Sequence, residues 1–161
     1  MLELIDTATI PGAADDTLTL SFERRQKRRQ RVRLDSGREA ALVLPRGGPL
    51  RDGDGLRSAD GFRVLVRAAD ESVSTGRAED RLTLARACYH LGNRHVALQI
   101  GEGWVRYRPD HVLDEMLVGL GLRVALEHAP FEPESGAYGA HAGHAQGDEG
   151  LDPTHEVHAV A

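Results

Sequence analysis

The apolar residues of this chain change their period near residue 67, and that change restricts the folds open to it. Before it, Leu2 to Ile5, Thr17 to Phe22, Arg31 to Leu34, Ala40 to Leu44 and Phe62 to Val66 are β-branched or alternating runs. Turn chemistry separates them at Asp35-Ser36-Gly37, Gly47-Gly48-Pro49 and Asp52-Gly53-Asp54-Gly55. The alternation from Thr17 to Phe22 puts Leu18, Leu20 and Phe22 on one face of a half-buried strand. Residues 1–68 therefore read as a small all-β module.

After a short link near Arg67 to Asp70, strands alternate with two helical patterns. Glu71 to Thr75 reads as a strand, and Glu79 to Leu91 as a helix with Leu84, Cys88 and Leu91 on its inner face and Gly92-Asn93 as its stop. Val96 to Ile100 and Trp104 to Tyr107 suit a hairpin across Gly101-Glu102-Gly103. Asp110 caps a second helix that buries Val112, Leu113, Met116, Leu117 and Leu120, and Leu122 to Leu126 is the last strand. This βαββαβ order over residues 69–138 suggests a ferredoxin-like sandwich, so the fold class is α+β. Beyond Pro130 the chain turns to Ala, Gly, His and acidic residues, and residues 139–161 are expected to form a flexible, histidine-containing tail.

A chain of 161 residues with 40% apolar content can bury one core or two small ones, which suits two modules and a tail. No stretch approaches the ~20 apolar residues that span a bilayer, and no signal-peptide pattern is recognisable, so a cytoplasmic protein without membrane contact is expected. The single cysteine, Cys88, excludes an internal disulfide and any CxxC site, leaving His, Asp and Glu as metal ligands. Neither G-x-S-x-G nor a Walker loop nor a Gly-rich fingerprint is present, and no catalytic constellation emerges. An enzyme is not expected.

Charge and histidine are both unevenly spread. Seven cations crowd Arg24 to Arg33, whereas no Lys or Arg follows Arg123. The basic stripe would suit phosphates, but aromatics for base stacking are not interleaved with it. A basic hairpin edge that resists aggregation or docks an acidic partner is the preferred reading, with a nucleic-acid-binding module as the alternative. Of eight histidines, five lie at His128, His141, His144, His155 and His158. His141-Ala142-Gly143-His144 and His155-Glu156-Val157-His158 both have a spacing at which two imidazoles can grip one ion, the alternative being an inert tail. His95 follows the expected helix stop and sits on a tight connection. It reads either as an ordinary turn histidine or as a ligand that a two-fold axis would pair with its own copy. His111, with Asp110, Asp114 and Glu115, is either a ligand cluster or a capped, solvated helix start. His90 and Cys88 read as structural.

Three blocks in order carry a resemblance: Ala87-Cys88-Tyr89-His90-Leu91-Gly92-Asn93-Arg94-His95, Asp110-His111-Val112-Leu113-Asp114-Glu115-Met116-Leu117, and Pro130-Phe131-Glu132-Pro133-Glu134-Ser135-Gly136-Ala137-Tyr138. They are similar to the urease accessory protein E family, and the Arg-rich hairpin and the Asp52-Gly53-Asp54 turn of the first module fit it too. The resemblance implies a homodimeric nickel metallochaperone with an N-terminal peptide-binding-like β domain and a C-terminal ferredoxin-like metal-binding domain. It implies that His95 binds metal at the dimer interface and that tail histidines, here His141, His144, His155 and His158, add ligands. In some members two histidines flank the aspartate of the second block. Here Pro109 stands at the first and His111 at the second, which leaves any peripheral site one ligand short. Delivery is expected through the GTPase-containing urease activation complex to apo-urease. Nickel itself rests on the resemblance, since imidazole sites bind copper more tightly and zinc comparably. A passive divalent-metal buffer is a further alternative.

Overall fold

The computed structural model describes residues 1–136 and forms two sheets, each with its own core. The first sheet contains β1 (Leu2–Thr7), β2 (Asp16–Leu20), β3 (Arg29–Arg33), β4 (Glu39–Val43), β5 (Gly55–Ser58) and β6 (Arg63–Ala68). Its order is β2-β6-β5-β1-β4-β3, with parallel pairs at β2–β6 and β1–β4 and antiparallel pairs elsewhere. Alternation decides which side chains are buried. Ala40 and Leu42 point inward from β4 while Glu39 stays outside, and Leu4, Leu18, Leu56, Val64 and Val66 complete a core sealed from solvent. Each of these leucines and valines contributes roughly 1.5–3 kcal/mol relative to exposure.

Two elements here depart from the sequence reading. Strand β5 lies where only a turn was expected, because Gly55 opens it. A Cβ on Gly55 would sit 2.1 Å from the Ala8 carbonyl, and Ala8 N–H donates to the Gly55 carbonyl at 2.9 Å. A strand residue chosen for close backbone approach looks like turn chemistry in sequence. The second departure is Phe22, expected to continue the face of Leu18 and Leu20. Strand β2 ends at Leu20, and Phe22 begins a one-turn helix, α1 (Phe22–Arg25). Its ring turns away from the first core and meets Phe131 edge-on at 5.6 Å, with Val73 beside them.

The link between the sheets is shorter than expected, a single residue, Ala69, before β7 (Asp70–Arg77). The second unit continues with α2 (Arg81–Asn93), β8 (Gln99–Gly101), β9 (Trp104–Tyr107), α3 (His111–Gly119) and β10 (Arg123–Pro130). Its strands are all antiparallel in the order β10-β7-β9-β8. Helices α2 and α3 bury Ala87, Leu91, Leu113 and Leu117 against Val105, Tyr107 and Leu122. Gly76 in β7 makes room for this layer, because a Cβ there would stand 2.7 Å from Leu117 Cδ2. The Tyr107 hydroxyl donates to Asp114 at 2.7 Å. Burial and that carboxylate push the phenol above the ordinary tyrosine range.

Two boundaries differ in ways that matter for the site. Asp80 is the N-cap of α2, its carboxylate accepting from Thr83 N–H at 2.9 Å, and the helix runs through Gly92 and Asn93 instead of stopping at them. Residues 96–98 stay outside the sheet. The Leu98 carbonyl accepts from Glu134 N–H at 2.7 Å, so the chain after β10 runs beside this connection, and the β8–β9 hairpin turns over only Glu102 and Gly103.

That returning segment also binds the two units together. Arg25 is fully buried. It donates through Nε to Leu20 O at 3.2 Å, through Nη1 to Leu50 O at 3.1 Å and to the Glu132 carboxylate, and through Nη2 to Phe131 O. Arg51 adds donations to Pro133 O at 2.7 Å and Ser135 Oγ at 2.8 Å. Read from sequence, Arg25 belonged to an exposed basic stripe; it is instead a structural cation satisfied by four acceptors.

Candidate metal centre

His95 takes its position from the end of α2. Arg94, the C-cap, donates its N–H to Leu91 O at 3.1 Å, and His95 N–H reaches Gly92 O at 3.0 Å. At His95 the backbone turns into the left-handed region, with φ at 55°, the single non-glycine residue to do so among those described. Histidine is one of the residues that tolerate this conformation, but a β-carbon there still costs about 1–2 kcal/mol. The turn leaves the imidazole exposed on the connection between α2 and β8. A sequence stop at Gly92-Asn93 does not foretell that the histidine itself carries the reversal.

His111 is the first residue of α3 and is exposed. Its acidic neighbours have other duties. Asp110 accepts from Val112 N–H at 2.9 Å and Leu113 N–H at 3.2 Å, and Asp114 accepts from Tyr107. Two of the three carboxylates suspected here hold the fold, which leaves His111 and Glu115 turned to solvent at the helix start.

Among the described residues no group of three or more His, Cys, Asp or Glu side chains comes close enough to hold an ion. His95 and His111 stand on different elements, the connection after α2 and the start of α3. His90 lies in the last turn of α2, where it meets the Tyr89 ring edge-on at 5.3 Å. His128 stands on β10 with Nε2 3.4 Å from Ser72 Oγ. Cys88 is half-buried against the second core, and burial pushes its thiol up, as suits a packing residue better than a nucleophile. His141, His144, His155 and His158 lie outside the described residues, as does the expected tail, 139–161.

An isolated imidazole on a surface turn binds a divalent ion weakly and leaves most coordination positions open. It can add further ligands from a second chain or from another part of its own. It can also release an ion by exchange more easily than a closed cage can.

The sequence as a whole is similar to a known group of proteins. Residues 2–69 match the family model for the UreE urease accessory protein N-terminal domain, and residues 71–159 match that for the C-terminal domain. The chain is 61% identical over 139 residues to the urease accessory protein UreE of Alkalilimnicola ehrlichii, covering 86% of this chain and 85% of that one. It is 52% identical over 151 residues to the protein of that name from Citrobacter koseri, covering 90% and 99% of the two chains. For the protein from Pseudomonas putida GB-1 the identity is 55% over 141 residues, 86% of each. With both domains matched along nearly its whole length, this chain belongs to the UreE family of urease accessory proteins.

Proposed function

We propose that this chain is a nickel carrier for urease maturation, in which His95 from each of two copies holds one Ni(II) ion between them. Membership of an accessory family, not an enzyme family, supports the role in urease maturation. The observation that carries the finer reading is His95 itself. It is an exposed imidazole held on a backbone reversal unfavourable to any side chain, and it belongs to no group of three or more metal-ligating side chains among the described residues. Strain kept at a ligand-type residue points to use. A two-fold axis supplies the second imidazole without another residue being needed. Tyr89, Val112 and Val118, exposed on the two helices, leave apolar area for that second copy to cover.

The imidazoles of His141, His144, His155 and His158 would complete the shell during capture. His111 would act as a peripheral ligand with few helpers, given the duties of Asp110 and Asp114. Zinc or copper would occupy the same donors, so nickel rests on the family's role. Residues 69–138 would be the metal-binding domain, for which the βαββαβ order and the β10-β7-β9-β8 sheet support a ferredoxin-like reading. Residues 1–68 would form the partner-facing domain, and 139–161 the tail. Delivery would pass to apo-urease through a GTPase-containing activation complex in the cytoplasm. No helix among the described residues is long and apolar enough to cross a membrane.

Nickel calorimetry on the full chain, on His95→Ala and on a chain ending at Tyr138 tests this reading. Loss of the tightest event in His95→Ala alone is expected. Its loss only on truncation would move the primary site to the tail.

A further inference from the structure

We infer that the first module carries a cationic docking pocket, centred on Arg28, for an acidic segment of a partner protein. Arg28, Arg29 and Arg46 line a pocket of about 640 Å³ between the start of β3 and the loop after β4, with Leu44 and Pro45 as apolar wall. Among the described residues no carboxylate lines it. Arg28 is the shared wall with a second groove of about 520 Å³, where Asp54 also lies. Asp54 accepts from Arg51 N–H at 2.7 Å through one of its two oxygens.

The Arg28 guanidinium is positioned yet unmatched. Its Nε is buried without a hydrogen-bond partner among the described residues. None of the ion pairs among those residues uses Arg28, Arg29, Arg31 or Arg46, although Arg25, Lys27 and Arg33 in the same stretch are all paired. The guanidinium lies against Gly47, where a Cβ would stand 2.4 Å from Nη2, so only glycine permits this placement. A buried donor left without a partner is costly, and a planar guanidinium with no internal acceptor remains available to a carboxylate.

Three guanidiniums against the single carboxylate of Asp54 in the adjoining groove leave an excess of positive charge that calls for an anionic occupant. The two adjoining hollows far exceed one small ion, and the exposed Pro45 ring suits the aliphatic stems of glutamates on an extended chain. A nucleic acid fits less well, because among the described residues no aromatic side chain lines either hollow for a base to stack on. This surface belongs to the first module and is independent of the nickel reading.

The test is fluorescence anisotropy with a labelled dodecapeptide of alternating glutamate and leucine, titrated with the full-length chain at low and high salt. Binding should weaken with salt. An Arg28→Gln, Arg46→Gln double variant should weaken it roughly tenfold. Gly47→Ala keeps every charge and displaces only the tip of Arg28; it should weaken binding severalfold with an unchanged melting temperature. An Arg81→Gln, Arg123→Gln variant, equal in charge change but in the second module, should bind as the wild type does. Equal losses in the two double variants, or full binding by Gly47→Ala, would overturn the pocket. Tighter binding of a single-stranded oligonucleotide at the same residues would overturn the choice of partner. Peptide binding that appears only after removal of residues 137–161 would do the same, identifying the chain's own acidic end as the occupant.

Discussion

At the scale of single residues, position 95 combines a ligand-type side chain with a backbone that disfavours any side chain. The conflict predicts an order of stabilities. His95→Gly should be more stable than His95→Ala by about 1 kcal/mol, since glycine alone escapes the left-handed penalty. Both should lose the tightest nickel event equally. Urea unfolding and calorimetry on the same samples check this, and equal stability of the two variants would remove the strain from the account. Arg25 is the second residue of consequence. Its removal leaves Glu132 and three carbonyls without their shared donor, so Arg25→Ala should cost about 3 kcal/mol or more in urea unfolding. Arg29→Ala, an exposed neighbour, should cost less than about 0.5 kcal/mol. The seven cations of the stripe look alike in sequence, and nothing in their spacing separates the one that is buried. His95 stood out in the sequence as a candidate through the motif around it; its left-handed backbone did not, since a Gly-Asn pair before it reads as the place for such a turn.

At the scale of elements, local chemistry was legible wherever one element decided its own fate. Asp110 caps α3 as its spacing required, and Leu113 and Leu117 face inward, whereas Val112, expected on the buried face, is exposed. Strand β5 and helix α1 were not legible, because each is set by a distant partner: the Ala8 carbonyl packs on Gly55, and Phe131 receives Phe22. The N-cap of α2 yields a pH prediction. The Thr83 hydroxyl and then its N–H donate to Asp80 and hold its carboxyl below the ordinary aspartate range. Since the folded-state value lies below the unfolded one, this contribution is complete above about pH 4 and is lost as pH falls through the folded value. Asp80→Asn keeps an acceptor at the cap but cannot titrate. Wild type should therefore lose more stability than Asp80→Asn between pH 6 and pH 3, measured by urea unfolding at each pH; parallel losses would assign the acid sensitivity elsewhere.

At the scale of the whole molecule, two cores are joined by the buried Arg25 cluster and by the Arg51 contacts to residues 133 and 135. The two-module plan could be read from the change in apolar period, whereas the clamp between them required residues far apart in sequence. Its consequence is cooperative unfolding: wild type should melt in one calorimetric transition, and Arg25→Ala should separate the modules into two. The central claim, that paired His95 rings from two copies share one ion, is tested most directly by native mass spectrometry of wild type mixed with a mass-tagged His95→Ala chain at limiting nickel. The account predicts one tightly held nickel on wild-type dimers and its loss from mixed dimers. Wild-type monomers, or mixed dimers, that retain nickel as strongly as wild-type dimers would contradict it.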